Sequence, residues 1–125
     1  MTPLSPGNEA IDVVRRFHQA LNARDLEGML ACLTVDTVFE NTHPPPDGTR
    51  YEGRTAVRPF WEEFLDGSTA ARIEAEEVFA AGDRCVMRWV YTWMDARGAE
   101  EHIRGVDLYR VRGGLIAEKL SYVKG

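Results

Sequence analysis

The chain has 125 residues, 44% of them hydrophobic and 28% charged, which is enough to bury one core, leaves little room for a second, and does not suit a disordered segment. A formal charge of -5 argues against nucleic acid as a partner, because phosphate contacts need clustered Lys and Arg. No apolar run approaches the roughly 20 residues that span a bilayer, and the opening MTPLSPGNEA lacks the basic and apolar regions of a signal peptide; the expectation is a soluble cytoplasmic protein without membrane contact.

From about Asn8 to Ala23, Ile11, Val14, Phe17, His18 and Leu21 recur at helical spacing and predict a first helix. Asp25 is a good N-cap for a short second helix carrying Leu26, Met29, Leu30 and Leu33 on one stripe, so the two helices should form a hairpin. Val35 to Asn41 is β-prone, and His43-Pro44-Pro45-Pro46-Asp47-Gly48 after it can sustain neither helix nor ladder. Gly53-Arg54-Thr55 supplies a turn and an N-cap for a third helix through Leu65, with Val57, Phe60, Trp61 and Phe64 on its apolar stripe and Pro59 in its first turn.

From Ala71 the period shifts toward two, and turn signals at Gly82-Asp83, Arg97-Gly98 and Gly113-Gly114 divide the rest into a four-stranded antiparallel meander. Helices followed by adjacent strands favour α+β layering over a parallel βαβ sheet. Trp89, Tyr91 and Trp93 alternate along one strand and share a face, where they line a pocket, fill the core or bury a dimer interface.

Cys32 and Cys85 lack the C-x-x-C spacing of redox or zinc sites and read as buried, reduced thiols. His18, His43 and His102 make no ligand pair, so no metal is indicated.

The order of elements, with F-H-Q-A-L-N-A-R-D-L-E-G-M at 17–29, V-D-T-V-F-E-N at 35–41, Y-E-G-R-T-A-V-R-P-F-W at 51–61 and G-V-D-L-Y-R-V-R-G-G-L-I-A-E-K at 105–119, resembles the SnoaL-like branch of the NTF2-like superfamily. The resemblance implies a cone formed by a curved antiparallel sheet packed against three helices, a pocket between them, and a homodimer through the outer face of the sheet. Ketosteroid isomerases, polyketide cyclases, limonene epoxide hydrolases and noncatalytic binding modules share this fold, so the fold does not choose the function.

By resemblance to the isomerase pattern, Glu40 at the end of the first strand stands where a carboxylate shuttles a proton. Asp107 stands where an acid supports the developing enolate, close to the strand position that polyketide cyclases use for acid/base chemistry. A carboxyl in an apolar pocket is desolvated, which moves it toward the range useful for proton transfer, and two acids in unlike environments can divide the roles. An acid flanked by Val106, Leu108 and Tyr109 is expensive unless it is used or paired, the candidate partners being Arg88, Arg104 and Arg110.

Two departures matter: the position of the isomerase's oxyanion-binding Tyr is Phe17, which cannot donate a hydrogen bond, and the supporting aromatic on the third helix is Trp61. The epoxide hydrolase network is not met either, because Arg104 and Asp107 are three residues apart and alternation puts them on opposite faces. The substrate-binding set comprises Phe17, His18, Asn41, His43, Tyr51, Trp61, Trp89, Tyr91, Trp93, Tyr109, Leu120 and Tyr122. The leading expectation is isomerase-type or cyclase-type acid/base chemistry on an apolar carbonyl or polycyclic substrate, by Asp107 with Glu40 assisting and no cofactor. Noncatalytic binding of a small hydrophobic molecule is the main alternative, a module that only dimerises is a third, and epoxide hydrolysis is a minor one.

Overall fold

The computed structural model describes residues 6–67 and 71–124, with side chains from residue 9 onward; the first five residues, part of the stretch read for a signal peptide, lie outside it. Helix α1 (Pro6–Asn22) buries Ala10, Val13, Val14, Phe17 and Leu21 along one stripe. The stripe is rotated from the expected one, so that Ala10 and Val13 take its centre while Ile11 and His18 sit half-buried on its flank. Burial of the Phe17 ring alone contributes about 2 kcal/mol.

Asp25 caps α2 (Leu26–Ala31) as expected, its carboxylate accepting from the Gly28 N–H at 3.0 Å. A Cβ on Gly28 would stand 2.3 Å from that carboxylate, so the cap and the glycine go together. Leu33, expected to finish the second helix, instead opens strand β1 (Leu33–Glu40). The helix signal overran because Leu33 keeps the apolar spacing after the helix has ended.

A three-residue strand, β2 (Arg50–Glu52), pairs antiparallel with β1. Gly53, at φ +93°, then turns the chain into α3 (Arg54–Gly67), and its carbonyl accepts from the N–H groups of Ala56 and Val57. Gly53 is therefore the N-cap and Thr55 lies inside the helix, which moves Pro59 into the second turn, where it removes one hydrogen bond.

Strands β3 (Arg72–Ala81), β4 (Arg84–Met94), β5 (Glu100–Arg112) and β6 (Leu115–Val123) form the expected meander. Gly113 and Gly114 both have positive φ, which the two-residue turn between β5 and β6 requires. The sheet order is β2-β1-β6-β5-β4-β3, and β1 runs parallel to β6, so the sheet is mixed where an antiparallel one was expected. No turn joins these two strands; their pairing is set by the packing of everything between them.

Register shifts between Leu33 and Val38, Ala75 and Glu77, and Arg110 and Val111 bend the strands. The helices cover the concave face of the sheet, and the convex face carries Arg88 and Arg104 paired with Glu76 and Arg84 paired with Glu118. Among the described residues, no helix is long and apolar enough to cross a membrane.

Candidate functional site

Cross-strand register assembles the concave face in rows. Phe39 on β1 lies beside Lys119 on β6, Lys119 opposite Tyr109 on β5, and Tyr109 opposite Cys85 on β4. The next row is Ser121, Asp107, Met87 and Val78, and the one after it Val123, Gly105, Trp89 and Ala75. Directly paired residues share a face. From these rows Phe39, Lys119, Tyr109, Ser121, Asp107, Met87 and Trp89, with Phe17, His18 and Leu21 of α1 and Phe60, Trp61 and Phe64 of α3 above them, line a cavity of about 370 Å³ with walls that are chiefly apolar.

Two polar side chains of the cavity, Lys119 and Tyr109, meet at Asp107. Its Oδ2 lies 3.4 Å from Lys119 Nζ and accepts a hydrogen bond from the Tyr109 hydroxyl at 3.1 Å, and the residue is 4% exposed. Its Oδ1 is buried without a hydrogen-bond partner, at a cost of roughly 1–3 kcal/mol unless something in the cavity meets it. Lys119 Nζ also donates to Ser121 Oγ at 2.9 Å and sits 4.4 Å from the centre of the Phe39 ring and 5.4 Å from that of Trp61.

Burial drives the Lys119 ammonium below its usual pKa, and the Asp107 carboxylate opposes the shift. Burial likewise pushes the Tyr109 phenol well above its ordinary value, with Asp107 adding to it, so this hydroxyl keeps its proton and acts as a donor. Burial also lowers the pKa of His18, against a smaller opposing effect of the Ile73 backbone, and its Nε2 faces Asn22 Nδ2 at 3.1 Å. Trp89 Nε1 is a second buried polar atom on this wall without a partner. The described residues hold no group of three or more His, Cys, Asp or Glu that could bind a metal.

A model of the SnoaL-like domain family matches residues 14–119. The chain belongs to the SnoaL-like family. An NTF2-like protein of unknown function from Mesorhizobium loti is 35% identical, over 99% of this chain and 98% of its own, with a TM-score of 0.83. A Mycobacterium tuberculosis protein crystallised in complex with estradiol-17beta-hemisuccinate is 27% identical, over 95% of this chain and 94% of its own, with a TM-score of 0.77. An LEH-like epoxide hydrolase from the same organism is 18% identical, over 94% of this chain and 84% of its own, at a TM-score of 0.77, and shows the fold alone. No curated protein matches the chain.

Within this SnoaL-like cone, Asp107, Phe17, His18, Asn41, His43, Trp61, Trp89, Tyr91 and Tyr109 all line the cavity. Asn41 and His43 stand at its mouth, where Asn41 Oδ1 accepts from the backbone N–H groups of His43 and Thr49 and so shapes the loop. Tyr51 lies behind the wall, stacked on Phe39 at 6.0 Å. Trp93 lies beyond it, half-buried against Tyr91.

Glu40 does not reach the cavity. With Phe39 inward, alternation turns Glu40 outward, where it pairs with its register partner Arg50 at 2.8 Å. Leu120 and Tyr122 are outward as well, Tyr122 being 52% exposed, because β6 presents Lys119 and Ser121 to the cavity. The arginines weighed as partners of Asp107 lie on the other face, Arg88 and Arg104 with Glu76 and Arg110 with Asp83. Lys119 holds that place, and the spacing of two that puts it on the face of Ala117 and Ser121 was its only trace in the sequence.

Proposed function

We propose that this protein is a cofactor-independent enzyme that moves a proton on a small, largely apolar carbonyl or polycyclic compound, with Asp107 as the acid/base. The single observation that carries this reading is the buried Asp107 carboxylate on the wall of the apolar cavity, held through Oδ2 by Lys119 and Tyr109 and unpaired at Oδ1. Oδ1 is the atom left to take a proton from a carbon next to a carbonyl group. The donors beside it, Lys119 Nζ and the Tyr109 hydroxyl, suit the negative charge that then develops on the carbonyl oxygen. Phe17 supplies no hydrogen bond, so this constellation differs from that of the steroid isomerases.

The test is exchange of the α-protons of apolar ketones with D2O, followed by NMR with the wild-type protein and Asp107→Asn. Exchange that depends on Asp107 supports the proposal, and equal exchange in both proteins removes Asp107 from the chemistry. A second reading, binding of a hydrophobic molecule without turnover, is favoured by the occupation of Oδ2 by two donors. Under that reading the wild type binds the ketones and exchanges nothing.

Epoxide hydrolysis has no support from the site, because among the described residues no arginine lines the cavity. The proposal includes a homodimer through the outer sheet face, where Leu108 and Leu120 pair across strands beside exposed Tyr122. Sedimentation equilibrium at a monomer mass would remove that part.

A further inference from the structure

Of the chain's 15 basic residues only two are lysine, Lys119 and Lys124, and the rest are arginine. Every other ion pair described uses arginine for its cation. The Asp107 pair inside the cavity is the exception, and it uses the cation that can surrender its proton. Arginine would serve as well for neutralising Asp107, and better for hydrogen-bonding it through two donors. An amine is called for where the cation must be able to become neutral, as a base or as a nucleophile.

The surroundings of Nζ meet the other requirements of such an amine. It is buried on an apolar wall, above the faces of Phe39 and Trp61, with a carboxylate at 3.4 Å and the Ser121 hydroxyl at 2.9 Å. Lys124, by contrast, is exposed at the end of the chain.

We propose that Lys119 is a covalent site: its Nζ condenses with the carbonyl carbon of an apolar aldehyde or ketone held in the cavity, giving a protonated imine, with Asp107 carrying the protons. This rests on the reading that the cavity takes a carbonyl compound. Asp107 first accepts a proton from the ammonium, leaving a neutral amine whose lone pair forms the C–N bond as the C=O π electrons move to oxygen. Asp107 protonates that oxygen and takes a proton from nitrogen, giving a neutral carbinolamine. It then protonates the hydroxyl group, which leaves as water while the nitrogen lone pair forms C=N. The sum is ammonium plus carbonyl compound giving iminium plus one water, with Asp107 again a carboxylate. The lowered pKa of Lys119 favours the first step.

The experiment is reductive trapping of the full chain with benzaldehyde and with naphthaldehyde in the presence of cyanoborohydride. Intact mass and peptide mapping read the adduct, and saturation-transfer NMR without the reductant reads binding. The expected result is one reduced adduct on Lys119, kept in Lys124→Arg and lost in Lys119→Met. Because Lys119→Met leaves Asp107 buried and unpaired and can fail to fold, the mapped position in the wild type decides on its own. Binding without an adduct, or an adduct confined to Lys124 or the N-terminal amine, overturns the covalent role and leaves the acid/base reading standing. Neither binding nor adduct overturns both.

Discussion

Lys119 Nζ and Asp107 Oδ2 lie 3.4 Å apart in a wall that leaves their side chains 11% and 6% exposed. Two charges so far from water are held by each other and by Tyr109 and Ser121, and the pair costs desolvation that its mutual attraction must offset. Asp107 and Lys119 should therefore behave as a unit. Lys119→Met alone leaves a buried anion and is expected to destabilise the fold by about 3–5 kcal/mol. Lys119→Met combined with Asp107→Leu should recover most of that loss, and urea unfolding of the two variants checks it. Equal stability of single and double variants would mean that water already solvates the pair.

The pH dependence on the acid side should come partly from His18. Burial holds its folded-state pKa below the ordinary 6.5, so as pH falls through 6.5 the unfolded chain takes up a proton before the native protein does. The unfolded state then binds more protons, and stability falls with pH until the native imidazole titrates as well. His18→Phe should flatten this slope, as read from urea midpoints between pH 7 and the lower end of the native range.

Gly105 makes room for Trp89. A Cβ there would stand 2.4 Å from Trp89 Cζ2 and 2.4 Å from the Tyr122 carbonyl oxygen, one of which is backbone and cannot swing away. Gly105→Ala is expected to destabilise the protein by about 1–3 kcal/mol and to displace the indole, shifting tryptophan fluorescence and weakening binding of aromatic probes to the cavity. An unshifted spectrum at full stability would show that β5 and β6 relax around the methyl group.

Both thiols should resist alkylation in the folded protein. Cys85 is buried with its pKa pushed up to about 11, and burial raises that of Cys32 as well. Iodoacetamide at pH 8 should label neither until denaturant is added, and mass spectrometry counts the labels. Rapid labelling of Cys85 in native conditions would mean that β4 opens at this point.

The sequence by itself determined the elements whose signals are local. The helical period of α1, the Asp25 cap, the aromatic run of α3 and the turn glycines of the meander each act within a few residues, and the structure contains all of them, with the buried stripe of α1 rotated toward Ala10 and Val13. Alternation put Trp89, Tyr91 and Trp93 on one face of β4 and left pocket, core and interface open, and the family resemblance singled out Asp107; the structure sets Trp89, Tyr91 and Asp107 on the cavity wall and Trp93 beyond it. What only the tertiary structure decided is the face of each residue at the seam of β1 and β6. Hydropathy would send Leu120 and Tyr122 inward and leave Lys119 in water, yet a shift of one residue exchanges the two sets, and the parallel pairing of Phe39 with Lys119 chose the other one. The same pairing turned Glu40 outward to Arg50 and brought the buried amine to Asp107. No local pattern carries that choice, because it follows from contact between segments about 80 residues apart, where burial of Phe39, Trp61 and Tyr109 outweighs the cost of taking one lysine out of water.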